Sequence, residues 1–318
     1  MSILNTGFAN PRPDLADAWY QYTNSGLTRA ATQVFPTLAV DTQAGEIEVV
    51  TRKSLLGLDA PYRAVNGNYN RINVSLDKMT YAARDYGLEH AINMADGASI
   101  QYNKEVGAVN HLWLKLALAE EVATASLVFN GTTFTGADLF TTVGTAWSDP
   151  TADIIGDVID AAEKVRRNTG VKANALVVSA VNAVNMMKND GIRAALNGVV
   201  VPTVDVISAA APALFGLQKV IVGDAVYDAA GSGHTFNGTD VWSADYAFVC
   251  KAANEGDPIE VPCIGRNLFW ADDSGPEYTI ENYYETQTRS MVYRARHNAT
   301  FKLFDPYFGH LLDVTAQS

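Results

Sequence analysis

From residue 98 to residue 130 apolar side chains return every three or four positions, and no proline interrupts them. Val106, Val109, Trp113, Leu116, Ala119, Val122, Ala123 and Leu127 fall on one stripe, the mark of an amphipathic helix. Ser99 can cap its start, and Asn130-Gly131 can end it. At about 1.5 Å per residue the predicted rod is roughly 45–50 Å long, against a mean helix of about 11–12 residues. A second long pattern has period two. Met291, Tyr293, Ala295, His297, Ala299, Phe301 and Leu303 share one side, with Arg294, Arg296, Asn298, Thr300 and Lys302 on the other. This predicts a strand of roughly 40 Å. A helix and a strand of similar length bury their apolar faces most simply against each other, so 98–130 and 278–318 are expected to build one domain.

The chain between them reads as an insertion. Trp147-Ser148-Asp149-Pro150 has the chemistry of a sharp helix start, Ile154, Ile155, Val158, Ile159, Ala162 and Val165 form the stripe, and Thr169-Gly170 stops it. Ala175–Ser179 is a wholly apolar strand, Val181–Asn189 a helix, Val204–Leu214 a helix despite Pro212, and Lys219–Gly223 a second strand. Residues 148–223 are therefore an α/β unit, and 224–270 add β-rich segments punctuated by glycine, including Tyr246–Lys251.

Upstream, Glu46–Arg52 alternates loosely and Arg71–Asp77 strictly, with the turn formers Leu55-Leu56-Gly57 and Asn66-Gly67-Asn68 between them. The expectation is a projecting hairpin over 46–81 with arms of roughly 35–45 Å. An isolated two-stranded hairpin is marginal in water, so this one should lie on another surface. Residues 1–45 read as an extended arm with a short helix near Asp14–Tyr22; its aromatics, Trp19, Tyr20 and Tyr22, need cover from the subunit itself or from a neighbour. The expected layout is arm 1–45, hairpin 46–81, a first domain part 82–147 holding the long helix, an insert 148–270, and a closing part 271–318, in an α+β fold.

Charge narrows the function. The chain of 318 residues has a formal net charge of −12, 48 % hydrophobic and 18 % charged residues, a globular composition whose low charge suits a surface that faces other protein. So acidic a chain is not built to grip nucleic acid. No basic patch leads into an apolar run, and no run approaches the roughly 20 residues of a membrane span, so neither export nor a membrane partner is expected. Cys250 and Cys263 lack metal or disulfide spacing and are expected as buried free thiols in a reducing cytoplasm.

The sequence has no G-x-S-x-G, Walker A or H-E-x-x-H. Gly231-Ser232-Gly233 precedes no helical stripe and reads as a surface loop, and Asp272-Asp273 as a solvated turn. His111 and His297 are expected to be structural, hydrogen-bonded residues. Glu120 and Glu121 point about 100° apart on a helix, which suits ion pairing, here with Arg294 or Arg296, better than acid–base work. No catalytic residue, cofactor or metal is expected.

The order of these pieces resembles the major capsid proteins of tailed bacteriophages, the Hong Kong phage capsid fold. The local pieces that carry the resemblance are Trp147–Pro150 leading into Ile154–Arg167, Thr169-Gly170, Asn174–Ser179, the turn Met186–Ile192, the hairpin's Arg63 and Asn70-Arg71-Ile72, and the closing Asp305-Pro306. The resemblance implies a structural shell subunit that assembles as hexamers and pentamers into an icosahedral container for double-stranded DNA. It further implies a portal, an optional decoration protein and, with about 45 residues before the hairpin, a separate scaffolding protein. The setting would be the virion capsid, and the host cytoplasm during assembly. In that scheme 98–130 is the spine helix of a peripheral domain, 148–270 an axial domain, and the hairpin an extended loop over a neighbour. Trp19, Tyr20, Arg52, Lys53, Arg63, Arg71, Lys78, Glu120, Arg294 and Arg296 are the candidate assembly contacts. Some members crosslink a hairpin lysine to a neighbour's asparagine; Lys53 and Lys78 are the hairpin lysines, read here as solvated or salt-bridged. Two other readings fit the same sequence: an encapsulin-type nanocompartment of the same fold, and a two-domain α/β enzyme.

Overall fold

The structure is a computed structural model that describes residues 10–11, 29–57, 62–63, 67–69, 71, 76–93, 104–196, 202–230, 233–271 and 278–315. In chain order the first elements are β1 (Asn10–Pro11), α1 (Ala30–Val34), β2 (Thr37–Val40), β3 (Ala44–Val49), α2 (Arg52–Leu55), β4 (Asp77–Ala82), β5 (Arg84–Asn93), α3 (Lys104–Val128) and β6 (Phe140–Thr142). The middle of the chain forms α4 (Ile154–Thr169), β7 (Ala175–Ser179), α5 (Ala180–Lys188), α6 (Asp190–Ala195), α7 (Val204–Leu214), β8 (Lys219–Gly223), β9 (Val226–Asp228) and β10 (Gly238–Asp240). It closes with β11 (Tyr246–Cys250), β12 (Gly265–Trp270), β13 (Thr279–Glu285), β14 (Ser290–Leu303), a 3-10 turn at Pro306–Phe308 and β15 (Gly309–Asp313).

The 14-residue β14 organises a six-stranded sheet. Ser290–Arg296 pairs with β13, Ala299–Leu303 with β12, and Ser290–Ala299 with β5, all antiparallel. Helix α3 lies along this sheet. Val109, Leu112, Trp113 and Leu116 pack on Tyr278, Ile280, Tyr293 and Ala295, and the Trp113 and Tyr278 rings meet edge to face at 4.4 Å. The expected pairing of long helix with long strand holds.

The helix differs from expectation in one respect. Its inward face continues from Leu116 through Glu120, Glu121, Thr124 and Val128, while Ala119 faces out and Val122 is 43 % exposed. Both choices are helical in period; two carboxylates with buried partners displaced the apolar alternative. The helix ends at Val128, where the Asn130 side chain accepts the amides of Thr132 and Thr133, and the proposed cap Ser99 lies outside the described residues.

A five-stranded sheet, β6-β15-β11-β7-β8, forms the second body. Leu176, Val178, Ala247, Val249 and Leu312 point to the side covered by α4, α5 and α7. Ala175, Val177, Phe248, Cys250, Leu311 and Ile221 point to the other, against α1 and the end of α3. Strands covered on both faces read as continuous apolar runs, which is why Ala175–Ser179 showed no alternation. Gly309 starts β15 with the Phe248 ring so close that a Cβ would lie 2.2 Å from it. The sheets do not follow the boundaries drawn at 148 and 270. β6 and β15 lie outside that range but complete this sheet, and β12 lies inside it but pairs with β14 and β2.

Helix α4 begins later than its turn residues suggest. Asp153 is the N-cap, accepting the Gly156 amide, whereas the Asp149 carboxylate folds back on Thr151 within a preceding turn. Gly170, at φ 74°, ends the helix as expected, with Ile154, Val158, Ala161 and Val165 buried and Ile159 turned outward.

Among the described residues the hairpin's paired strands are shorter than expected. β3 and β4 pair antiparallel over six residues each, about 20 Å at about 3.3 Å per residue, and the second strand starts at Asp77 rather than Arg71. Ile72–Ser75, whose alternation suggested that strand, lie outside the described residues. The ten-residue β5 was not expected; Tyr86, Leu88, His90 and Ile92 alternate along it on the side of α3, where Ile92 joins the core and His90 meets His111, but its side chains stay exposed almost throughout.

Candidate functional site

The adjacent carboxylates of α3 sit where the two sheets and the N-terminal segment meet. Glu120 is 7 % exposed and faces the six-stranded sheet. Its Oε1 accepts from Tyr278 Oη at 2.8 Å and lies 3.1 Å from His297 Nδ1, and its Oε2 pairs with the Arg29 guanidinium. Glu121, 5 % exposed, faces the five-stranded sheet: Oε1 accepts the Ala31 amide at 3.0 Å and Oε2 accepts Trp242 Nε1 at 2.8 Å. The 100° between neighbours on a helix thus sends one carboxylate to each body, and both hold the 29–31 segment between them.

Burial raises the Glu120 carboxyl, but the His297 hydrogen bond and the Arg29 charge outweigh it and hold it below the usual range. For Glu121 burial wins over the Ala31 and Trp242 hydrogen bonds, and its pKa is raised. The expected partners, Arg294 and Arg296, are engaged elsewhere. Arg294 stands opposite Glu89 of β5 and Glu281 of β13 in register, at 2.6 and 3.6 Å, and Arg296 Nε reaches Glu281 at 3.1 Å. These pairs tie three strands of one sheet together. Glu120, a candidate assembly contact, is instead engaged within its own chain by Arg29, Tyr278 and His297.

The other candidate contacts divide by exposure. Lys53 is exposed on α2, and Arg71 is exposed; Lys78 lies 4.0 Å from Glu46 across the hairpin, an exposed pair of small energetic value. Arg63 stacks over the Tyr69 ring at 4.5 Å. Arg52 stacks over Tyr307 at 3.3 Å, on its own subunit. Trp19 and Tyr20 lie outside the described residues. His297 is structural as expected. His111 is exposed, with its ring 6.3 Å from that of His90.

A constellation the sequence did not reveal is Lys164, Thr141 and His310. Lys164 Nζ donates to Thr141 Oγ1 at 2.5 Å, and Thr141 Oγ1 is 2.8 Å from His310 Nε2. His310 Nδ1 lies 3.0 Å from the Asp138 carbonyl, so Nδ1 carries the proton and Nε2 accepts from Thr141. The geometry mimics a nucleophile and its base. Burial, however, pushes His310 down to about 4, leaving it a feeble proton acceptor near neutrality. The chain of hydrogen bonds orients a fully buried imidazole between β6, α4 and β15. Among the described residues no three potential ligands gather to hold a metal ion.

His310 makes acid stability a test. Its folded pKa lies below the unfolded value, so its contribution is complete above about 6.5 and is lost as pH falls towards about 4. That window corresponds to about 3 kcal/mol. Urea unfolding of the unassembled chain at pH 7 and pH 4.5 should show a smaller pH-dependent loss for His310→Gln than for the native chain. Equal losses would remove His310 as the source.

No family model matches the chain. A protein called major capsid protein from Pseudomonas phage JBD67 is 26 % identical over 187 residues, 57 % of this chain and 59 % of that protein, so the likeness spans about three fifths of that relative. The structure of a phage-related protein from Bordetella bronchiseptica RB50 superposes with a TM-score of 0.72 at 19 % identity, covering 98 % of this chain and 99 % of the other. A virus-like particle from Pyrococcus furiosus superposes with a TM-score of 0.58 at 10 % identity, covering 94 % and 98 %.

Proposed function

We propose that this chain, which has the fold of tailed-phage major capsid proteins, is itself a major capsid protein, the self-assembling subunit of an icosahedral shell around double-stranded DNA. The observation that carries the reading is end-to-end agreement of architecture with a phage-related protein, 98 % of one chain on 99 % of the other. The named capsid relative supports it from sequence. In this reading α3 is the spine, the six-stranded sheet the peripheral domain, the five-stranded sheet with α4, α5 and α7 the axial domain, and the β3–β4 hairpin the base of the extended loop. Copies of the chain are the principal partner, in hexamers and pentamers; a separate scaffolding protein and a portal complete the assembly, with a decoration protein as an optional addition. The virion is its destination, reached from the host cytoplasm.

The acidity suits the task. A shell must bind itself without adhering to its polyanionic cargo, and a net charge of −12 provides repulsion. The second reading is a protein-enclosing nanocompartment shell of the same fold, and the superposition on a virus-like particle shows that fold alone. Purifying assembled particles and assaying their contents separates the two: DNA in particles made during infection supports the first, a co-purifying enzyme with no DNA the second. A chain that stays monomeric with scaffold present, across a range of salt, would sink both.

A further inference from the structure

We propose that the root of the hairpin carries a clamp, formed by Thr51, Arg52, Asp77, Asp305 and Tyr307, that fixes where the chain departs from β3 and rejoins β4 before a second copy is met. Thr51 and Asp305 are each 7 % exposed. Thr51 Oγ1 donates to Asp77 Oδ2 at 2.8 Å, tying the two ends of the excursion across 26 positions. Asp305 divides its carboxylate: Oδ1 accepts the Tyr307 amide at 3.0 Å, capping the 3-10 turn, and Oδ2 accepts the Arg52 amide at 3.1 Å. The Arg52 guanidinium then lies on the Tyr307 ring, 3.3 Å from its centre. Leu56 rests on Gly170 at the end of α4, where an added Cβ would lie 3.0 Å from it.

Such a clamp answers a mechanical need. β3 and β4 form a separate two-stranded sheet whose inner face packs Val49 and Tyr81 on Cys263, Leu268 and Phe304, but two strands alone supply little rigidity to the chain beyond the paired residues. Asp305 follows β14 by two residues and precedes β15 by four, so the hairpin is anchored at the link between the two sheets. Residues 50–76 contain Arg52, Lys53, Arg63 and Arg71 against Asp59, a net charge of +3, which leaves −15 on the remainder of the −12 chain. A basic excursion on an acidic body has its complement on a second copy, and holding its root in advance lowers the ordering cost of that contact.

The effect on assembly rests on the shell-subunit reading, so two readouts are paired. In the unassembled full chain, Thr51→Val and Asp305→Asn should each speed trypsin cleavage after Lys53 about tenfold by local release, with cleavage at Arg166 and Arg167 in α4 unchanged. Unchanged cleavage after Lys53, or an equal rise at Arg166 and Arg167, overturns the clamp. By light scattering with scaffold present, both variants should assemble several-fold more slowly than the native chain; assembly at the native rate overturns its role. A native chain that never assembles refutes the shell reading instead, and the trypsin result still decides the clamp.

Discussion

Glu120→Ala should destabilise the unassembled subunit by about 3–5 kcal/mol, the cost of leaving a buried charge without its partner. Arg29, whose side chain is 18 % exposed, and His297, at 2 %, would both face an apolar methyl group. Tyr278 would lose its acceptor as well. Glu121→Ala should cost less, about 1–3 kcal/mol, because its partners are the neutral donors Ala31 N–H and Trp242 Nε1–H. Arg29→Ala combined with Glu120→Ala should fall short of the sum of the single changes, since one interaction is counted twice. Denaturant unfolding measures all four. A Glu120→Ala chain within about 0.5 kcal/mol of the native one, the ordinary range of a surface change, would show that the junction holds nothing together.

Leu116→Pro should abolish shell formation. Position 116 is buried in mid-helix against the long sheet, 6 % exposed. Proline there removes an internal hydrogen bond and clashes with the preceding turn, costing about 3 kcal/mol or more. Loss of the leucine side chain adds about 2–5 kcal/mol. Val122→Ser, on the outward side of the same helix, should leave subunit stability within about 0.5 kcal/mol. Sedimentation of Leu116→Pro should find no large particles; particles of native size would mean that the helix is not the strut of the subunit.

Where burial is one-sided or complete, the amino-acid pattern was readable. Strand Ala175–Ser179, helix Val204–Leu214 and the long alternation ending at Leu303 lie where periodicity places them. β5 was missed although Tyr86, Leu88 and Ile92 alternate with Asp85, Gly87, Glu89 and Asn93, because charged and small residues dilute a pattern that only Ile92 carries into the core. The inward turn of Glu120 and Glu121 was equally hidden. An apolar stripe is a sound guide to the buried face only while no carboxylate finds buried partners, and those partners come from residues 29–31, 242, 278 and 297. His310 belongs to the same class: its role depends on Thr141 and Asp138, roughly 170 positions away. Residue order along the chain carried the functional reading better than any one motif.

The most direct measurement is sedimentation velocity with electron microscopy on the native chain co-expressed with a scaffolding protein. Closed icosahedral particles in which copies of this chain form pentamers and hexamers are the expected result. A monodisperse monomer that stays so across salt concentrations would contradict the shell reading.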